Sequence, residues 1–286
     1  MKNSQESMMN KNLLIDGHIR TFGLEFFAVD HCNLSCYGCA QRSPYLDKEF
    51  TDVAAFEKNI RILGKYLRPD KITIVGGEPL LHPDIDSIIR IAQKSNMFKE
   101  IHVTTNALDL TKMSQAFWQG IDVLVISKYP TTADFINKII DEADRNGKLY
   151  NVEIQIRDMS NFNHITLSEE NKNQELVKEI YEKCIYKYYC HTLSNDRIYR
   201  CSPVVNLDKY LKKFGRMPTH NMKDHLKIED QNNFQTTLLQ YLNSDMPLTG
   251  CNFCLGSSGK LFPHRQLSKK ERDNPAQMGI SSENHR

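Results

Sequence analysis

From residue 21 to about residue 157, apolar positions alternate between a period of two and a period of three to four. Residues 21–29 read as a first strand. Residues 52–67 read as a helix, with Thr51 as N-cap and Phe56, Ile60, Leu63 and Leu67 on one face. A short buried strand over 71–75 runs into Gly76-Gly77. Pro83 then opens a helix whose Ile85, Ile88, Ile89 and Ala92 share a stripe. Residues 101–105 form the third predicted strand, 110–119 a helix and 122–127 the fourth strand. A helix over 132–146, closed by Gly147, leads to a fifth strand at 152–157.

Strands alternating with helices argue for βαβ units and a parallel sheet. Five or six such repeats make either a doubly wound sheet or an incomplete barrel, and in both architectures ligands gather at the carboxyl ends of the strands. The chemically unusual residues sit at those ends: Cys32, Gly76, Asn106, Ser127 and Arg157, one after each strand in turn. Beyond residue 160 the rhythm breaks. A helix is expected near 172–184, and two aromatic-rich runs around Ser194-Asn195-Asp196 predict a β-hairpin. Residues 233–243 look helical. The chain divides into an N-terminal extension (1–20), an α/β core (21–165), a cysteine-rich α+β segment (166–267) and a polar tail expected to be flexible (268–286).

The 286 residues carry 37 Lys+Arg against 35 Asp+Glu, a formal charge of +2. Such a balance gives no field to recruit nucleic acid or anionic lipid. No apolar run has the length of a bilayer span, and the polar start offers no signal-peptide core, so a cytoplasmic location is the expectation. The eight cysteines alter the picture. In a chain of this size without an export signal, clustered cysteines hold metal or do redox chemistry more often than they form disulfides.

Cys32, Cys36 and Cys39 form a C-x3-C-x2-C run in the loop after the first strand. Three thiolates so close together can take three corners of a cubane iron–sulfur cluster and leave the fourth iron open to a ligand. The competing reading is a zinc knuckle completed by His31 or a distant cysteine. Downstream, Gly76-Gly77-Glu78-Pro79 ends the second strand, with paired glycines that allow close backbone approach and a carboxylate for an ammonium.

Taken in order, this cysteine run and the Gly-Gly-Glu turn resemble the radical SAM superfamily, over residues 22 to about 160. The resemblance implies a partial (β/α)6 barrel with a [4Fe–4S] cluster on Cys32, Cys36 and Cys39. The open iron of that cluster chelates S-adenosylmethionine. It further implies cofactor contacts from Gly76, Gly77, Glu78, Asn106, Ser127 and Arg157. The family commonly has an aromatic residue immediately before the third cysteine. Gly38 stands there in this chain, so either Tyr37 meets the adenine from a shifted position or the adenine is held elsewhere.

Cys190 and Cys201, ten residues apart across the predicted hairpin, and the later Cys251-x2-Cys254 resemble the twitch type of auxiliary-cluster domain, a relative of SPASM domains. Four cysteines are a full complement for a second [4Fe–4S] cluster, and the same spacing equally allows a structural zinc site. Cys184 is left over. It reads as a buried hydrophobe, a hydrogen-atom donor of an epimerase, or a substitute for Cys190. The Ser257, Ser258, Lys260, His264 and Arg265 stretch could wrap an anionic substrate group, or be an ordinary loop.

The resemblance then implies an enzyme that cleaves S-adenosylmethionine reductively to a 5′-deoxyadenosyl radical. That radical takes hydrogen from a small sugar-, cyclitol- or nucleotide-like substrate of a natural-product pathway. An oxidoreductase outcome, with the auxiliary cluster as electron acceptor and flavodoxin or ferredoxin as external donor, leads the reading. Epimerisation, peptide modification and a non-catalytic zinc or iron–sulfur interaction module remain open beside it.

Overall fold

The computed structural model describes residues 12–216, 223–274 and 279. Its strands are β1 (Leu13–Ile15), β2 (His18–Val29), β3 (Leu67–Gly76), β4 (Glu100–Thr105), β5 (Val123–Lys128), β6 (Glu153–Asp158), β7 (Asn161–His164), β8 (Thr192–Ser194), β9 (Arg197–Tyr199), β10 (His225–Lys227) and β11 (Lys260–Pro263). Strands β2 to β6 pair in parallel and in sequence order. Because the order never reverses, successive right-handed crossovers place their helices on one face. A doubly wound sheet needs a reversal and helices on both faces. With every crossover helix on one face, β2 to β6 match the barrel alternative, and β8 adds a sixth parallel strand on the free side of β2.

The helices of that outer face are α1 (Val53–Leu63), α2 (Ile85–Lys94), α3 (Gln115–Gly120) and α4 (Ala133–Tyr150). They pack on alternate strand residues, among them Phe26, Ile74, Val103 and Ile126, to form one continuous aliphatic core. The residues between those positions face the other way and are far more polar: Glu25, Thr73, Thr104, Ser127 and Arg157.

Several element ends differ from the sequence expectation, each for a local reason. Asp52, not Thr51, caps α1, accepting from Ala55 N at 2.8 Å, while the Thr51 hydroxyl donates to Phe27 O at 2.7 Å. Helix α4 runs through Gly147 and ends at Asn151, whose φ of 58° stops it. Gly147 is a packing residue instead, for a Cβ there would sit 2.8 Å from Ile154 Cγ1 and 2.8 Å from Val152 O.

The first aromatic run is a helical turn, α6 (Tyr186–Tyr189), after α5 (Gln174–Lys183). Lys187 Nζ donates back to Tyr181 O and Glu182 O, so its charge satisfies the end of α5 rather than a strand position. The hairpin proper is β8–β9, turned at Asn195 with φ 51°. It continues the main sheet, with β10 beyond it, while β7 and β11 form a separate antiparallel pair. Helices α7 (Leu207–Lys213) and α8 (Phe234–Leu242) complete this half. The stretch expected as a tail opens with a capped turn, α9 (Lys269–Arg272), in which Ser268 and Glu271 form a capping box. Residues 1–11 of the extension, and 275–278 and 280–286 of the tail, lie outside the described residues. No helix among the described residues is long and apolar enough to cross a membrane.

Gly147→Val should overpack the seam between α4 and β6 and lower stability by about 1–3 kcal/mol, read as a lower urea midpoint at unchanged slope.

Candidate active site at the barrel mouth

Cys32, Cys36 and Cys39 line a cavity of about 460 Å³ at the carboxyl ends of the strands, together with Gly76, Gly77, Glu78, Asn106, Ser127 and Arg157. Two glycines bring the second strand against the cysteine loop. Gly77 N donates to Val29 O at 2.8 Å and Glu78 N to His31 O at 3.0 Å. A Cβ on Gly76 would stand 2.2 Å from Val29 O, and one on Gly77 1.9 Å from His31 O. No larger residue permits that approach.

Glu78 is 1% exposed. One carboxylate oxygen accepts from Leu80 N at 3.1 Å and the Thr105 hydroxyl at 2.5 Å, and the other from Asn106 N at 2.8 Å. Burial still outweighs these bonds and lifts its pKa to about 7. The side chain thus joins the ends of β3 and β4 and keeps lone-pair capacity on the second oxygen. Asn106 Nδ2 in turn donates to Asn33 Oδ1 at 2.7 Å and lies 3.6 Å from Cys32 Sγ. Ala107 beside it holds φ 61°.

A strap from the far end of the chain clamps the loop from the other side. Tyr37 N donates to Arg265 O at 2.9 Å, and Leu267 N to Ser35 O at 2.7 Å. Gln266 Oε1 accepts from Ser35 N at 2.6 Å, which turns its amide nitrogen to Cys36 Sγ at 3.4 Å. His264 Nε2 lies 3.2 Å from the same sulfur.

Burial pushes the Cys32 thiol up to about 12 and the Cys36 thiol higher still. Yet N–H donors converge on both sulfurs, an arrangement that serves thiolates. Those donors therefore fit a bound cationic group that would hold the sulfurs ionised. A tetrahedral zinc site, with Zn–S bonds of about 2.3 Å, needs its sulfurs within about 4 Å of one another. Among the described residues no three His, Cys, Asp or Glu side chains converge as a single ion requires.

The later cysteines sort differently from the sequence reading. Cys184, Cys201, Cys251 and Cys254 line one small apolar cavity, with Lys187 and Arg200 in its wall. Gly256 N donates to Cys254 Sγ at 3.2 Å, and a Cβ on Gly256 would come 2.9 Å from Cys184 Sγ. Cys190 is not in that wall, although it stands within electrostatic reach of Cys184 and Cys201. Its thiol is hydrogen-bonded to Glu25, as is the Ser202 hydroxyl. Thr192 Oγ1 lies 3.5 Å from the same carboxylate. Pairing of β8 with β2 puts Thr192 opposite Glu25 and draws the neighbouring Cys190 toward the barrel interior. Cys184 ends α5 and faces Gly256. The small cavity thus groups Cys184, rather than Cys190, with the other three later cysteines, and Cys184 does not line the larger cavity that a hydrogen-atom donor must reach.

Tyr37 is turned away from the cavity, with His164 and Phe262 rings at 5.0 and 5.2 Å and the Arg265 guanidinium 4.2 Å over its face. Gly38 is forced by the same packing, since a Cβ there would meet Phe262 Cζ at 2.6 Å. The aromatic wall is supplied by Tyr129 and Phe162, which the sequence reading missed. Tyr129 stands two residues past the strand-end Ser127 and before Pro130, so its position was the available signal.

None of Ser257, Ser258, Lys260, His264 and Arg265 lines the cavity. The Ser257 hydroxyl accepts from Ile185 N and donates to Lys183 O, Ser258 and Lys260 are exposed, and Arg265 pairs with Glu271 at 2.7 Å.

The sequence profile of the radical SAM superfamily matches residues 28–151. GTP 3′,8-cyclase of Clostridium botulinum strain Hall is 34% identical over 103 residues, 35% of this chain and 32% of that protein. GTP 3′,8-cyclase of Aquifex aeolicus is 26% identical over 141 residues, 48% of this chain and 44% of that protein. The chain thus spans about a third to under half of the length of these curated relatives. The crystal structure of BtrN in complex with AdoMet and 2-DOIA superposes with a TM-score of 0.53 at 14% identity, over 84% of this chain and 94% of that one, and shows a shared fold. The profile begins just before the cysteine loop and ends with α4, so it takes in Cys32, Cys36, Cys39 and the Gly76–Glu78 turn. On that ground residues 28–151 match the radical SAM superfamily, whose members use a [4Fe–4S] cluster and S-adenosylmethionine.

Proposed function

We propose that the chain is a radical SAM oxidoreductase acting on a small polar molecule, with its first cluster on Cys32, Cys36 and Cys39 and a second on Cys184, Cys201, Cys251 and Cys254. The observation that carries this reading is that the two cysteine-lined cavities share a wall residue, Tyr186. Bound there, the first cluster and S-adenosylmethionine supply a carbon radical that takes hydrogen from a C–H bond, and a second, fully ligated cluster supplies an electron sink.

The chain's own residues bind and orient. The Gly76–Gly77 backbone and the free lone pair of Glu78 face the position for an ammonium, while Arg157, the one cation in the cavity lining among the described residues, suits a carboxylate. The Asn106 amide and the Ser127 hydroxyl offer hydrogen bonds to a ligand's hydroxyl groups, and Tyr129 with Phe162 keeps water from the reacting carbon. A triphosphate substrate, as in the name of the GTP 3′,8-cyclases, has less support because a single arginine serves the whole cavity. The chemistry also requires a one-electron donor of the flavodoxin or ferredoxin kind.

Anaerobic reconstitution tests the reading, with about eight irons per chain expected if both sites fill and 5′-deoxyadenosine formed from S-adenosylmethionine under reduction. Cys32→Ala should abolish that cleavage and leave the second cluster's electron paramagnetic resonance signal in place. Cys184→Ala should lose about half the iron and keep the cleavage, whereas Cys190→Ala should retain both clusters. The opposite pattern for Cys184 and Cys190 would reassign the fourth ligand, and stoichiometric zinc in a colourless protein would refute the enzyme. Gly77→Ala should displace the Cys32 loop and slow cleavage by about 10²-fold, measured as 5′-deoxyadenosine released per minute.

A further inference from the structure

Arg42 is 1% exposed, follows Cys39 by three residues and holds a left-handed φ of 61° at the start of a 3-10 turn. Its guanidinium donates only to neutral oxygens and lies 5.5 Å from the centroid of the Tyr210 ring. One terminal nitrogen donates to Ala40 O at 3.1 Å and to Pro203 O, and the other to the Thr166 hydroxyl at 3.2 Å. Its Nε is buried and has no hydrogen-bond partner. Among the described residues no carboxylate pairs with it, and the ionisable groups nearest it in effect are the thiols of Cys254, Cys39 and Cys201 and the phenol of Tyr210, with the His164 imidazole also within reach. Arg200, the other buried arginine near these thiols, differs in having Asp224 within electrostatic reach.

The partners of Arg42 define where it stands. Its own backbone N donates to Cys39 O at 3.0 Å, at the edge of the first cavity. Pro203 is in the wall of the second cavity, and Thr166 is bridged across the chain to Cys254. The guanidinium therefore spans from the loop of the first cysteine set to two elements that carry the second. A buried cation with no counter-ion is strongly disfavoured unless a negative group lies beside it. Neutral thiols do not supply that charge. Two thiolate-ligated iron–sulfur clusters do.

Resting on the reading of both cysteine sets as cluster ligands, we propose that Arg42 is the shared counter-charge of the two clusters, lying between them and holding both of their reduction potentials up. A reduced cluster carries one more negative charge than an oxidised one, so a fixed neighbouring cation favours the reduced form. At the first cluster this eases reduction by the external donor. At the second it favours acceptance of an electron from substrate. Arg42 touches neither cofactor reaction centre nor substrate and is a positioning residue acting through charge.

The test is a redox titration of the anaerobically reconstituted full-length protein, followed by electron paramagnetic resonance, in the wild type, Arg42→Lys and Arg42→Met. Arg42→Met should move both midpoints to lower potential, and Arg42→Lys should stay near the wild type. Unchanged midpoints in a fully loaded Arg42→Met protein would overturn the proposal. If Arg42→Met fails to take up clusters while Arg42→Lys loads normally, the charge is what the sites need and the proposal stands. If Arg42→Lys also fails to load, guanidinium shape and not charge is required, and it falls. Failure of the underlying reading looks different, because the wild type itself would then lack two distinguishable cluster signals, one lost in Cys32→Ala and the other in Cys184→Ala.

Discussion

The site depends on a backbone approach too close for any side chain. The end of β3 lies so near the end of β2 that Cβ atoms on Gly76 and Gly77 would overlap the carbonyls of Val29 and His31. That contact lets Gly77 N and Glu78 N donate to those same carbonyls, which fixes the start of the loop carrying Cys32. It also carries Glu78 to Thr105 and Asn106, so that the third strand end is registered to the same point. Three strand termini are thereby locked together by hydrogen bonds that none could make at ordinary side-chain spacing. The buried carboxylate is part of the cost, since its desolvation is only partly offset by three donors.

This lock works because the two faces of the sheet are chemically divided. Helices α1 to α4 cover a face of Phe, Ile, Leu and Val, which supplies the stability of the core. The opposite face is therefore released from packing duty and can carry Glu25, Ser127 and Arg157 toward a shared interior. Adjacent parallel strands bring Ser127 opposite Arg157 in register, an alignment that follows from strand pairing alone.

Much of this was legible because it is written in local periods. The two-residue and three-to-four-residue rhythms mark β2 to β6 and their helices, and the strand-end rule then places Cys32, Gly76, Asn106, Ser127 and Arg157 around one cavity. What the sequence could not place depended on packing across the chain. The resemblance made Tyr37 one candidate for the adenine, but Phe262 and His164, more than a hundred residues away, hold it on the outer side. Cys190 looked like a ligand because a hairpin was expected to begin at Tyr186, and only the pairing of β8 with β2 shows which way its thiol turns. The Ser257 hydroxyl is used at the end of α5, a demand invisible until that helix is placed.

The two cysteine sets are also mechanically continuous. Residues 254–267 run from the wall of the second cavity, through β11, to the clamp on Cys36. Between its ends the strap is held by the pairing of β11 with β7, four residues opposite four, and Thr166 just beyond β7 bridges Cys254. Backbone pairing therefore carries the mechanical connection, independent of any one thiol. Removing a sulfur from the second set leaves the clamp on Cys36 in place, whereas breaking the β7–β11 pair would free both sites at once. The charge on Arg42 runs in parallel to this backbone connection, since it too reaches from the Cys39 loop to Thr166 and Pro203. A fold that ties two sites by strand pairing and by one buried cation has made their separation fixed and their electrostatics common.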